Sequence, residues 1–314
     1  MIQGHFSKWL RPVLYFSGAL FVAGILLSVQ SFTGNENDQA LSERMPVMYE
    51  SFLMPDQLEF AGEPVPLDNF DTRESLDKEM LVNGYWHSRT IMVLKKSKRY
   101  FETIEPILKK YGIPDDFKYL AMAESGFENV VSPAKAVGVW QLLESTAEEY
   151  GLEVNGDIDE RYNLEKSTEA ACKYLLESYQ LYGNWAIAAA TYNAGRKGLE
   201  NQITKQKTKN YYDLLLNDET ARYVFRLIAH KLITENPSAY GFHLEEEDYY
   251  PLIPVHDVAI DTAIPNIAEF ALQNSTNYKI LKQFNPWLRQ NYLPDSPGKV
   301  YHILIPESGE REIK

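Results

Sequence analysis

Glu124 closes an apolar run, Ala121-Met122-Ala123, and is followed at once by Ser125 and Gly126. A carboxyl held among apolar neighbours loses hydration, which penalises its charged form and raises its pKa. That is the protonation state a general acid needs near neutral pH. The plain alternative is a surface glutamate at a helix end. A second stretch reads Ser132-Pro133-Ala134-Lys135-Ala136-Val137-Gly138-Val139-Trp140-Gln141. Its small residues permit close backbone approach. Trp140 offers an apolar platform for a sugar, and the Gln141 amide both donates and accepts. Alone, this stretch also reads as a tight helix-to-helix connection with a buried Trp. A third stretch, Ala188-Ala189-Ala190-Thr191-Tyr192-Asn193-Ala194-Gly195, is an Ala-rich helix that packs closely and ends on a Tyr hydroxyl and an Asn amide. Its plain alternative is a helix with a glycine cap.

In this order and at these separations, the three stretches resemble the transglycosylase domain of family 1 lytic murein transglycosylases, a fold similar to goose-type lysozyme. The resemblance covers about residues 100–235. It implies that Glu124 is the single catalytic acid and base and that Ser125 holds its motif. Ser132 and Gln141 match positions that bind sugar N-acetyl groups. Tyr192 and Asn193 match a Tyr-Asn pair whose Tyr lies beside the catalytic Glu. Glu219-Thr220-Ala221-Arg222-Tyr223-Val224 resembles a weaker fourth motif and adds Glu219 and Tyr223 to the cleft. Lys135 stands where relatives usually carry Gly, and Thr191 where they commonly carry Ala.

The implied substrate is the glycan strand of peptidoglycan, cut at the β-1,4 bond from N-acetylmuramic acid to N-acetylglucosamine, with closure of a 1,6-anhydro ring. Most glycosidases use two carboxylates. Glu128 is four residues past Glu124, but Gly126 is expected to break the helix between them. Two alternatives stay open: a hydrolytic muramidase that uses the same Glu124, and a non-catalytic peptidoglycan-binding scaffold.

The elements that must position these residues are helical. From about Arg73 the apolar spacing has helical period, with Ile91, Leu94 and Lys98 on one face and Ile104, Ile107 and Leu108 following, until Gly112-Ile113-Pro114 stops it. Asp115 or Asp116 can cap the next helix. Further helices are expected at 145–150, 167–182, 184–193, 211–216 and 219–235, with Gly151, Gly183 and Gly195 as C-terminal caps. The expected fold is mainly α: a lysozyme-like transglycosylase domain over 72–240, then a small α+β domain over 250–314.

In that second domain Val255–Ile260 and Val300–Pro306 read as strands around two helices, a βααβ order. The segments Asn274–Leu288 and Pro297–Pro306 resemble a LysM module, which implies binding of glycans containing N-acetylglucosamine. The opening strand keeps only Asp261-Thr262 of the usual turn, so a spacer role stands beside glycan binding.

Residues 1–32 read as an N-terminal transmembrane or signal helix. The uncharged run Val13–Val29 follows Lys8 and Arg11 and precedes Asn35, Glu36 and Asp38. It is near the lower limit of about 17 residues for a membrane span. The charge asymmetry places the rest of the chain outside the cytoplasm. A retained signal anchor over residues 12–32 in the inner membrane, with a periplasmic catalytic domain, is the expected arrangement; cleavage near Val29-Gln30-Ser31 is the alternative. Residues 33–71, interrupted by Pro46, Pro55, Pro64 and Pro66, read as a linker.

Composition excludes several other classes. The 314 residues carry 31 Lys+Arg against 44 Asp+Glu, a net charge of −13, which opposes binding to nucleic-acid phosphates. One cysteine, Cys172, rules out an internal disulfide framework and reads as a small core residue. Six histidines show no metal-ligand spacing, so neither a metal nor a cofactor is expected.

Overall fold

Helix α1, Phe70–Tyr85, and helix α2, His87–Tyr111, follow each other with one residue between them. The computed structural model describes residues 51–307 and 309–310 of the chain. The expected membrane or signal segment, residues 1–32, and the first part of the expected linker lie outside the described residues. No helix among the described residues is long and apolar enough to cross a membrane.

Helix α2 buries Val93, Leu94, Ile104 and Leu108, while Ile91 stays exposed, so its inner face is turned from the one the spacing suggested. It ends on Gly112, whose φ of 67° is the left-handed cap that glycine adopts most easily. A 3-10 turn, Asp115–Phe117, leads into α3, Lys118–Ser125. Neither aspartate caps α3 through its side chain. Asp116 instead pairs with Lys231 at 2.8 Å and accepts from the Ala61 amide at 2.6 Å.

Short helix α3 is the centre of the helical domain, with Tyr119 through Ala123 all buried. It packs on α2 and α8 (Asp218–Glu235), and the domain's other helices are α4 (Glu144–Glu149), α5 (Leu164–Tyr182), α6 (Trp185–Ala194) and α7 (Arg196–Gln206). Helix α8 packs on α1, α3 and α6, and α5 packs on α2 and α6. Trp185 through Thr191 are buried on every side of α6, as an apolar helix inside a core must be. Cys172 is fully buried on α5.

Residues 52–69 are not a structureless linker. Glu59–Phe60 (β1) and Glu63–Pro64 (β2) form an antiparallel hairpin, and Phe60, Val65 and Leu67 enter the main core. Burying three such side chains is worth about 1.5–3 kcal/mol each, enough to order the segment. The Glu63 carboxylate accepts from the amides of Trp185 (2.8 and 3.0 Å) and Ala186 (3.3 Å) at the start of α6, where the helix dipole favours an anion.

The helix expected at 211–216 is only a 3-10 turn, Tyr211–Asp213. The Gln206 amide takes both backbone groups of Leu215, donating to its carbonyl (2.9 Å) and accepting from its N–H (2.8 Å), so those groups are spent outside a helix. Conversely, α7 forms where no helix was anticipated; its low apolar content, with only Leu199 and Ile203 buried, hid it.

The C-terminal part is the anticipated βααβ unit. Strand β3, Val255–Ile260, pairs antiparallel with β4, Tyr301–Pro306, and between them lie α9, Ile267–Gln273, and α10, Tyr278–Phe284. Alternation on β4 turns Tyr301, Ile303 and Ile305 inward. Asn285 is fully buried and satisfied: its amide donates to the carbonyls of Leu281 (2.9 Å) and Leu304 (2.7 Å), and its oxygen accepts from the Leu304 N–H (2.9 Å). That residue fixes α10 to β4.

Candidate active site

Glu124 occupies the last turn of α3, and Gly126 ends that helix at φ 61°. The next residue, Phe127, is also left-handed at φ 62°, a conformation that costs a non-glycine residue energy. Its ring is fully buried and stacks on Tyr100 at 4.8 Å, so packing holds the strained turn. The turn sends the chain away from α3 and separates Glu128 from Glu124. Glu128 is exposed and pairs with Lys96 at 2.8 Å.

The Tyr223 hydroxyl, from α8, donates to Glu124 Oε1. Glu124 is part-buried, and protein closely surrounds its carboxyl. Desolvation raises its pKa from 4.5 to about 7; the Tyr223 hydrogen bond and the Arg226 charge oppose the rise, and Glu219 adds to it. A carboxylic acid of this kind is half protonated near neutral pH and can give and take a proton there.

The loop from Val130 to Leu142 forms the neighbouring wall. Ser125 Oγ donates to the Val139 carbonyl at 2.8 Å, and the Tyr192 hydroxyl donates to the Trp140 carbonyl at 2.7 Å. One stretch of backbone thus ties together the ends of α3 and α6. Tyr192 is close enough for the Glu124 charge to raise its pKa further, beyond the effect of burial. The hydroxyl that reaches the carboxylate is nevertheless that of Tyr223, the weaker of the two expectations from sequence.

Trp140 is not a sugar platform. It is fully buried, and its indole N–H donates to Thr168 Oγ1 at 2.7 Å. Gln141, at φ 50°, uses its amide nitrogen inside the loop, donating to the carbonyls of Val130 (3.1 Å) and Gly138 (2.7 Å). Ser132 is part-buried, and its hydroxyl accepts from the Ala136 N–H at 3.0 Å. Lys135 adopts φ 63°, the conformation for which glycine is the natural choice.

Asn193 and Glu219 line one cavity of about 440 Å³, together with Thr220 and Leu216, and the Thr220 hydroxyl donates to Asn193 Oδ1 at 2.8 Å. Glu219 is exposed and pairs with Arg226 at 2.9 Å. A larger cavity of about 860 Å³ lies beyond the loop, between Lys135, Glu144, Arg161 and Arg289. Neither cavity is lined by Glu124, so its assignment rests on its contacts and burial.

Sequence reasoning missed the charges behind the site. Arg226 stands one turn past Tyr223 and also approaches the fully buried Glu79 at 3.6 Å, while Arg222 pairs with Glu79 at 2.5 Å. Burial and the nearby charges of Arg89 and Arg226 push His230 down to about 3, so it is neutral at physiological pH. The three-residue spacing from Tyr223 to Arg226 was the available signal, since it puts both on one helical face.

Residues 102–215 match the family model described as Transglycosylase SLT domain, and residues 256–309 match that of the Soluble lytic transglycosylase C-terminal LysM-like domain. The chain therefore carries an SLT transglycosylase domain followed by a LysM-like domain of the soluble lytic transglycosylase type.

Among curated proteins, membrane-bound lytic murein transglycosylase D of Escherichia coli strain K12 is 26% identical over 253 residues, covering 79% of this chain and 54% of the relative. The chain thus spans about half the length of the curated relatives it matches. Among solved structures, the 70 kDa soluble lytic transglycosylase of Escherichia coli aligns at 16% identity and a TM-score of 0.37, over 78% of this chain and 48% of that one. An inactive mutant of lytic transglycosylase Slt from Pseudomonas aeruginosa aligns at 19% identity and a TM-score of 0.36, over 48% of this chain and 26% of that one.

Proposed function

We propose that this protein is a peptidoglycan lytic transglycosylase with Glu124 as its only catalytic carboxyl. The observation that carries the reading is the enclosed Glu124 acid, raised to about 7 and held by Tyr223. Glu128 is turned to Lys96 and Glu219 is paired with Arg226 at 2.9 Å, so each of these two neighbouring carboxylates is engaged by a cation rather than free to act as nucleophile or base.

Glu124 gives its proton to the glycosidic oxygen between N-acetylmuramic acid and N-acetylglucosamine. That bond breaks, and positive charge develops at C1 of the muramic sugar, where the neighbouring N-acetyl carbonyl steadies it. Glu124, now a carboxylate accepting from Tyr223, takes the proton of the muramic C6 hydroxyl. The oxygen attacks C1 and closes the 1,6-anhydro ring. The proton count returns to its start and no water is consumed. General acid and base action supplies about 10²–10⁴-fold; orientation of the sugar in the cleft supplies much of the rest.

Asn193 and Glu219, which share a cavity, are assigned to the substrate cleft with Tyr192 and Tyr223. Ser132 and Gln141 support the wall and present its outer surface to the N-acetyl groups; Ser125 secures α3 to that wall. The LysM-like domain and the name of the curated relative support a place in the cell envelope. The uncharged N-terminal run supports anchoring in the inner membrane, with the catalytic domain periplasmic.

The test is mass spectrometry of products released from purified sacculi. Lytic transglycosylation gives anhydro-muropeptides, lighter by one water (about 18 Da) than the products of hydrolysis. Reducing-end products alone would assign a hydrolytic muramidase, and none at all a binding scaffold.

A further inference from the structure

The LysM-like domain does not hang from the helical domain by its chain connection alone. Ile158, from the loop between α4 and α5, is fully buried inside the LysM-like core beside Leu281, Leu288 and Ile303. It pairs in a β-bridge with Leu288. On either side of it, the Asp159 N–H donates to the Trp287 carbonyl at 2.9 Å, and the Arg289 N–H donates to the Asp157 carbonyl at 2.8 Å. The Tyr292 hydroxyl donates to Asp157 Oδ1 and the Gln290 amide to the Gly156 carbonyl, both at 2.8 Å. Tyr301 and Lys299 both reach Glu153. A segment of the helical domain has become part of the other domain's core.

The same segment props the wall of the Glu124 site. Asp159 and Arg161 form a buried two-pronged ion pair at 2.9 and 2.8 Å, each residue 7% exposed. The remaining arm of Arg161 points at the carbonyls of Lys135 (3.4 Å) and Leu142 (3.5 Å), long contacts at the two ends of the turn that contains Gly138 and Gln141. Its own backbone presses on that turn: a Cβ on Gly138 would lie 2.2 Å from the Arg161 carbonyl oxygen. The turn then holds Ser125 through the Val139 carbonyl and Tyr192 through the Trp140 carbonyl.

The geometry points to the LysM-like domain as a clamp on the wall of the active site, with Arg161 as the positioning residue that transmits it. The inference rests on the proposed reaction and adds a role for the C-terminal domain in the chemical step, apart from any grip on glycan. Arg161 touches no reacting atom; it acts through the turn.

The test compares wild type with Ile158→Ala, which removes the plug, and Arg161→Lys, which keeps the charge beside Asp159 but loses the rigid fork. All are assayed as the full chain, after melting curves establish the folded fraction. The substrate is a soluble glycan fragment of two disaccharides, too short to engage both domains. A loosened wall lowers kcat by about tenfold or more, because small misplacement of a reacting group is costly. It also moves the alkaline limb of the pH profile downward, since water reaching Glu124 restores an ordinary carboxyl. The charged and titratable groups facing Glu124, namely Tyr223, Arg226 and Glu219 on α8 and Tyr192 on α6, are left in place by both substitutions. Unchanged kcat with weaker binding to sacculi would overturn the clamp and make the domain a tether. A fall in kcat that only follows the folded fraction, with the limb unmoved, would overturn it as well. Wild type releasing no anhydro product would count against the proposed reaction instead.

Discussion

The Tyr223 hydroxyl donates its hydrogen to Glu124 Oε1 across a sequence separation of 99 residues. In the proposed reaction it is a donor aimed at a carboxyl that starts neutral and becomes charged after the first proton transfer. Its bond opposes the desolvation that raises Glu124 to about 7. Tyr223→Phe removes that opposition while keeping the ring, which is 1% exposed. The alkaline limb of the rate profile should then move to higher pH. Turnover should fall by about 10–10²-fold, because the carboxylate formed after the first proton transfer loses its donor. A pH series of product release reads both effects.

Stability should follow the same titration. In the folded chain Glu124 holds its proton up to about pH 7, against an ordinary value of 4.5. Between those two pH values the folded state binds more protons than the unfolded state. Stability therefore falls as pH rises from the lower to the upper value, and the loss is complete above it. Glu124→Gln removes the charge, so the variant should exceed wild type by about 1–3 kcal/mol at pH 8. The two should converge below the ordinary carboxyl value. Urea unfolding at a series of pH values checks the sign.

Two substitutions in one loop should act in opposite directions. Gly138→Ala places a methyl 2.2 Å from a backbone oxygen at φ 82°, so neither clash nor strain can relax cheaply. It should cost about 2 kcal/mol or more. Lys135→Gly relieves a left-handed lysine at φ 63° and should stabilise by about 0.5–1 kcal/mol. Thermal melts of the two variants measure the contrast.

The hairpin ahead of the helical domain should matter for stability. Glu63 accepts from the first-turn amides of Trp185 and Ala186, the opening residues of the helix that carries Tyr192 and Asn193 in its last turn. Glu63→Ala should lower stability by about 1–2 kcal/mol. An unchanged melt would place this segment outside the folded unit.

Helices α5 and α8, each with a clear apolar face, were legible from spacing, and α6 from its Ala-rich run; the Gly112, Gly126 and Gly183 caps were legible as well. The β3 and β4 strands were legible from alternation. The proposed role of Glu124 could be argued from its apolar run only together with the two later motifs, since an end-of-helix glutamate is ordinary by itself. Its actual partner was not legible, because the choice between Tyr192 and Tyr223 depends on how α6 and α8 pack around α3. Trp140 misled for a related reason: an aromatic beside a glycine suits a sugar platform or a core equally, and Thr168, a buried acceptor on α5, decides for the core. Residues 52–69 were hidden by their prolines, although Pro64 closes a two-residue edge strand, where a missing N–H is tolerated. Arg161 was invisible, because its importance comes from contacts with a loop before it and a domain after it.

The most direct measurement is digestion of purified sacculi by Glu124→Gln beside wild type, with sedimentation of bound protein and mass spectrometry of the soluble fraction. A glutamine keeps the shape and the Tyr223 hydrogen bond but has no proton to give. The variant should bind sacculi as wild type does and release no anhydro-muropeptides. Anhydro-muropeptides released at the wild-type rate by the folded variant would contradict Glu124 as the acid and base.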